Sequence, residues 1–157
     1  MRKLEKWVGR NRRLYLKGRR RLSRLVDALV HLVFACDIPG QADIDPSVEF
    51  IHNGLGVVIG KRVTIRKKCL IYQNVTLGGR ETVSPEGERL RVGMPVIEEN
   101  VKIYAGACVL GPITIGHDSV VGANAVVMHD APPYSLIVGV PAKNRPLISD
   151  QDEIPKK

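Results

Sequence analysis

From Ile97 onward the chain divides into six consecutive blocks of six residues: IEENVK, IYAGAC, VLGPIT, IGHDSV, VGANAV and VMHDAP. The first position is Ile or Val in every block, and the fifth is Val, Ala, Ile, Ser, Ala and Ala in turn. The same phase runs earlier through IGKRVT, IRKKCL and IYQNVT, and in weaker form through IPGQAD, IDPSVE and FIHNGL. A period of six matches neither the 3.6-residue helix nor the two-residue strand. It is met by short strands joined at regular corners, with the first position turned inward at every step. Three hexads then close one triangular coil, and coils stack at the interstrand spacing of about 4.8 Å. About a dozen hexads give roughly four coils. A β-sandwich, with turns every ~8–12 residues, does not reproduce this phase. The expected fold class is therefore mainly β, a parallel β-helix of about four coils with a short N-terminal α-helical segment and one protruding loop.

The phase breaks twice. Between Phe50 and Ile59 it slips by three residues, beside His52. After Leu77 it is lost through GGRETVSPEGERLRVGMP and resumes at Ile97. Residues 80–94 hold Pro85, Gly87 and Gly93 among the charged Arg80, Glu81, Glu86, Glu88, Arg89 and Arg91. Such a segment is expected to leave the coil as a loop. Loops longer than compact domains usually carry tend to be functional.

The net charge of +8 is unevenly placed. Residues 1–36 carry eleven of the 24 Lys and Arg, against Glu5 and Asp27 alone. The body is close to neutral, so the basic pI does not make the whole protein a nucleic-acid binder, and no nucleic-acid partner is expected. In this leader Leu14, Tyr15, Leu22, Leu25, Val26, Leu29, Val30, Leu32 and Val33 recur at helical spacing. They predict one or two amphipathic helices, divided at Gly18 or Gly9. Two uses fit: a cap on the first coil or on a neighbouring subunit, or a peripheral contact with an anionic membrane. Three cysteines without paired spacing argue against a disulfide framework and for a reducing compartment. No apolar run is long enough to span a bilayer, and the N-terminus lacks the form of a secretory signal. The expected location is cytoplasmic, with the leader's membrane reading placing the protein peripherally on the inner face. The expected organisation is a basic helical leader (1–36), a repeat domain (37–146, with its loop at 80–94) and a polar tail (147–157).

DIPGQADIDPSVEFIHNGLGVVIGKRV, YQNVTLGG, VIEENVKIYAGACVLGPITIG and VGVPAK, taken in this order, resemble the serine O-acetyltransferase branch of the hexapeptide-repeat acyltransferases. The resemblance covers residues 37–146. It implies a left-handed coil, a homotrimer with active sites between subunits, and acetyl-CoA as donor, with no metal. It places His52 where the family has its catalytic base. A neutral imidazole takes the proton of an acceptor hydroxyl as the oxygen attacks a thioester. An ordinary histidine is mostly neutral at pH 7. Asp37 keeps the spacing of a family Asp fifteen residues before that histidine and is the expected orienting partner. For the donor, the small Gly78, Gly79, Ala105 and Ala123 would admit the pantetheine arm to the backbone. Lys143 would meet a CoA phosphate.

The sequence departs from the family in two places. The Asp that directly precedes the histidine is Ile51 here. The Arg-His pair before the proline of MPVIEENV is Gly93 and Met94. Met94 therefore stands at the expected acceptor site, with Arg89 or Arg91 as substitutes from the loop. Together with the short leader, this leads to a sugar or glycan hydroxyl as the expected acceptor. Serine is the alternative, and a non-catalytic scaffold attached to membrane is the alternative of another class. Cys36, Cys69 and Cys108 look like packing residues, so direct transfer is expected without an acyl-enzyme. His117 and His129, at corner positions, are expected to be solvated bystanders, too widely spaced from His52 to converge on zinc.

Overall fold

The structure, a computed structural model, describes residues 3–84 and 86–147. The tail from 148 onward lies outside the described residues. Two helices, α1 (Lys3–Leu16) and α2 (Arg20–Phe34), precede the coil. The break between them falls at Gly18, whose φ of 72° is a conformation open to glycine.

Three parallel sheets form the faces of a triangular prism. The first face holds β1 (Asp43–Ile44), β4 (Thr64–Ile65), β9 (Val96–Ile97) and β12 (Thr114–Ile115). The second holds β2 (Glu49–Phe50), β5 (Leu70–Ile71), β10 (Lys102–Ile103) and β13 (Val120–Val121), extended by β15 (Ser135–Gly139) and the antiparallel β16 (Ala142–Pro146). The third holds β3 (Val58–Ile59), β6 (Thr76–Gly78), β11 (Cys108–Leu110) and β14 (Val126–Val127). Lys102 pairs with Val120 and Cys108 with Val126, a step of three hexads. In the first coil Asp43 pairs with Thr64 and Glu49 with Leu70, a step three residues longer. The phase slip in the sequence is thus a physical insertion. It forms a 3₁₀ turn at Ile51–Gly54.

The hexad positions fall as the repeat predicts. Ile97, Ile103, Val109, Ile115 and Val121 are fully buried, and so are the fifth-position Val101, Ala107, Ser119 and Ala125. Full burial of one such aliphatic side chain contributes about 1.5–3 kcal/mol, so this interior column is the main source of cohesion. Corners need a left-handed residue, supplied by Lys68, Asn74, Asn100, Asp118 and Asn124 and by Gly56 and Gly106.

Residues 80–94 leave the coil as expected, and they do so as an ordered hairpin. β7 (Arg80–Val83) and β8 (Arg89–Val92) form an antiparallel hairpin, with Arg80 opposite Val92. Ser84 and Glu88 close its turn through a main-chain bond of 2.9 Å. The high charge hid two short extended runs, which need no buried face when they only pair with each other.

The leader's apolar residues go to two places. Leu4 and Val8 of α1 are buried, and Glu5 Oε1 accepts the Phe50 N–H at 3.0 Å, so α1 plugs the open end of the first coil. A polar network fixes the pair: Ser23 Oγ donates to Asn11 Oδ1, Asn11 Nδ2 donates to Asp27 Oδ1, and Asp27 Oδ1 also accepts the Gly40 N–H. A Cβ on Gly40 would lie 2.6 Å from Ser23 Oγ. On α2, by contrast, Leu22, Leu25, Leu29, Leu32 and Val33 are exposed. Among the described residues no helix is long and apolar enough to cross a membrane.

Candidate active site

His52 lies in the extra turn, at the corner between the second and third faces. Its φ is 54° and that of Asn53 is 55°. A β-carbon disfavours this region, at a cost on the order of 1–3 kcal/mol per residue. The inserted turn imposes it and carries the imidazole outward. The ring is exposed, and no hydrogen bond engages it among the described residues. Above it the same corner repeats in each coil. Asn74 N–H bonds to Leu55 C=O, Gly106 N–H to Gln73 C=O, and Asn124 N–H to Ala105 C=O. Leu55, Gln73, Ala105 and Ala123 therefore stand in one column. Ala105 is half-buried and Ala123 exposed, so the upper corner is a low track of methyl groups over main chain. Tyr72 and Tyr104 flank it with ring centroids 4.8 Å apart. Gln73 Oε1 is buried there and accepts no hydrogen bond. Sequence reasoning missed these three residues. The signal was present, because Tyr occupies the second hexad position only in IYQNVT and IYAGAC, just above Ile51.

Asp37 extends the third face by one bridge, opposite Val58. Its N–H bonds to Val57 C=O and its C=O accepts from Ile59 N–H, both at 2.8 Å. It shares the edge of the coil on which His52 sits, but no hydrogen bond or ion pair joins the two side chains.

The remaining expected residues lie elsewhere on the prism. Gly78 closes β6 at the far edge of the third face, and exposed Gly79 leads into the hairpin. Met94 lies over Gly60, where a Cβ would stand 2.8 Å from its sulfur. Gly93 and Met94 bring no charge to this edge. The side chains of Arg89 and Arg91 lie outside the described residues; their backbone belongs to β8. Lys143 is exposed on β16, opposite Val138. One chain thus groups His52 with Ala105 and Ala123, and sets Gly78, Gly79, Met94 and the hairpin across the width of a face.

His117 is not the solvated bystander expected. Its Nδ1 lies 2.8 Å from Asp118 Oδ2, and its ring meets Tyr134 edge-on at 5.2 Å. Asn100 Nδ2 also donates to Asp118. These bonds, from Asn100 first and then His117, hold the Asp118 carboxyl below the usual carboxylate range. The cluster fastens the corner between the first and second faces. Burial pushes the Cys36 thiol up to about 11, with help from the neighbouring Asp37 carboxylate. Burial likewise pushes Cys69 up to about 11. Both are protonated at neutral pH and unsuited to carry an acyl group. Among the described residues no three His, Cys, Asp or Glu side chains converge as a metal-binding set. A groove of about 440 Å³ between α1 and the first face does not include His52.

The family described as "Bacterial transferase hexapeptide (six repeats)" matches residues 94–129. The serine acetyltransferase of Mycobacterium tuberculosis is 42% identical over 130 residues, covering 83% of this chain and 54% of that protein. The crystal structure of Neisseria gonorrhoeae serine acetyltransferase in complex with serine superposes with a TM-score of 0.79 at 34% identity, over 90% of this chain and 55% of that one. A serine acetyltransferase in complex with CoA gives a TM-score of 0.75 at 33% identity, over 86% and 52% of the two chains. The chain spans about half the length of the relatives it matches. Repeat register, three-faced coil and these similarities agree: the chain belongs to the hexapeptide-repeat transferases of the serine acetyltransferase family and has their left-handed parallel β-helix.

Proposed function

We propose that this chain is a subunit of an acetyl-CoA-dependent O-acetyltransferase in which His52 is the general base. One observation carries the reading: an outward, unbonded imidazole stands at the foot of a corner column made of small side chains. His52 takes the proton of an acceptor hydroxyl as that oxygen attacks the thioester carbonyl. The tetrahedral intermediate collapses with loss of the CoA thiolate, and the imidazolium returns the proton to sulfur. A main-chain N–H at the corner stabilises the oxyanion. The pantetheine arm follows Ala105 and Ala123, Gly78 and Gly79 admit it from the other side, and Lys143 meets a phosphate. The protonated state of Cys36 and Cys69 supports direct transfer. Asp37, on the edge of the coil that His52 shares, is the proposed orienting partner of the imidazole.

The two groups of residues meet in a homotrimer, where the His52 corner of one subunit faces the hairpin edge of the next. We place this reaction in the cytoplasm, a reading supported by the acetyl-CoA donor and by three cysteines that form no disulfide. The naming of the relatives makes free serine the first acceptor to consider, ahead of the sugar hydroxyl to which the sequence alone leads. The sugar or glycan acceptor remains as a second reading for one reason. Gly93 and Met94 offer nothing to hold an amino-acid carboxylate.

Thiol release from acetyl-CoA, measured against serine and a panel of sugars, tests both. Saturable release with serine supports the first acceptor. Release with a sugar and none with serine establishes the second. Equal release by wild type and His52→Ala overturns the catalytic reading, and a scaffold would neither bind acetyl-CoA nor release thiol.

A further inference from the structure

α2 presents a second apolar face that the coil does not use. Its inward side is Ser23, Val30 and the half-buried Val26 and Asp27. At 100° per residue, Leu22, Leu25, Leu29, Leu32 and Val33 form a separate stripe on the outer side. Leu25, Leu32 and Val33 are 58%, 81% and 63% exposed. Arg21, Arg24 and His31 run along one flank, and Lys17, Arg19 and Arg20 gather at the helix start, all exposed. The only acid of the helix, Asp27, is turned inward to Asn11 and Gly40. The outer face is therefore apolar along its centre and cationic at its margin, and α2 itself contributes no carboxylate to it.

We propose that this face of α2 docks the protein on an anionic lipid bilayer, the leucines entering the headgroup boundary and the arginines meeting lipid phosphates. The charge selects this occupant. A second copy would bring the same cationic margin with no outward acid on its α2 to answer it, and a nucleic acid would leave the leucines in water. An anionic bilayer supplies both an apolar layer and negative charge. The inference does not rest on acetyl transfer.

Flotation of the full chain with phosphatidylcholine vesicles, with and without phosphatidylglycerol, tests it. Binding is expected to the anionic vesicles alone and to weaken with added salt. Arg21→Gln with Arg24→Gln is expected to weaken it about 30-fold, from about 1 kcal/mol per basic group. Leu25→Asp with Leu29→Asp is expected to abolish it, and both variants should keep the wild-type circular dichroism spectrum. Absence of binding at low salt overturns the proposal, as does equal binding to the neutral vesicles. It is also overturned if the Leu variant sediments as a smaller species than wild type, because the stripe is then a contact between copies.

Discussion

His52 sits where a β-carbon is unwelcome, and the surrounding turn holds it there. Alanine at this position keeps the same backbone demand, so His52→Ala should fold as wild type does. It should lose about 10²–10⁴-fold in the rate of thiol release, the usual contribution of a general base. A loss of ~3-fold or less would assign the imidazole a structural part. The buried thiols give a second prediction. Cys36 and Cys69 hold their protons in the fold up to about pH 11, against about 9.0 for a solvated thiol. Unfolding therefore releases protons between these values. Stability should be complete below pH 9 and decline as pH rises towards 11, read as a falling urea midpoint. Replacing both cysteines by alanine should flatten that slope.

The corner between the second and third faces alternates Gly56, Asn74, Gly106 and Asn124 from coil to coil. A Cβ on Gly106 would lie 2.1 Å from Asn124 Oδ1, and one on Gly56 2.0 Å from Asn74 Oδ1. The carboxamide of one corner occupies the space a side chain would need at the next. Gly106→Ala should therefore cost about 1–3 kcal/mol, from the left-handed backbone and the displaced amide together. Adding Asn124→Ala should return the amide's share and leave the backbone's, so a double-mutant cycle by denaturant melts should be non-additive. Elements of this kind were legible in the sequence to the extent that they repeat. Ile97, Ile103 and Val109 announce their burial through period alone, and the slip beside His52 announces the 51–54 turn. The β7–β8 hairpin was not legible, because its strands pair only with each other and carry Arg and Glu where a buried strand would carry Ile. Nor was the His117–Asp118 contact, which depends on Asn100 from another coil. Tyr72 and Tyr104 marked themselves by their shared hexad position, but Gln73 between them became visible only once the corners were stacked.

At the scale of the whole molecule, the expected site residues other than Lys143 lie at the two edges of the third face, and a single chain leaves them apart. Period and motif order disclosed the coil, but no repeat encodes which edge meets a neighbour. If the site forms between subunits, two inactive variants should rescue each other. His52→Ala chains, unfolded and refolded with chains whose residues 80–92 are replaced by a short Gly-Ser link, should recover roughly a quarter of wild-type thiol release in mixed trimers. Continued inactivity of the mixture, with mixed trimers shown by mass, would place the whole site in one chain. The two ends of the prism carry a last consequence. A stack of identical rungs has no natural length, and each bare end offers N–H and C=O groups to any strand that arrives. The α1 stopper, with Glu5 on the Phe50 amide, and the reversed strand β16 are what keep this chain a discrete particle instead of the first segment of a filament.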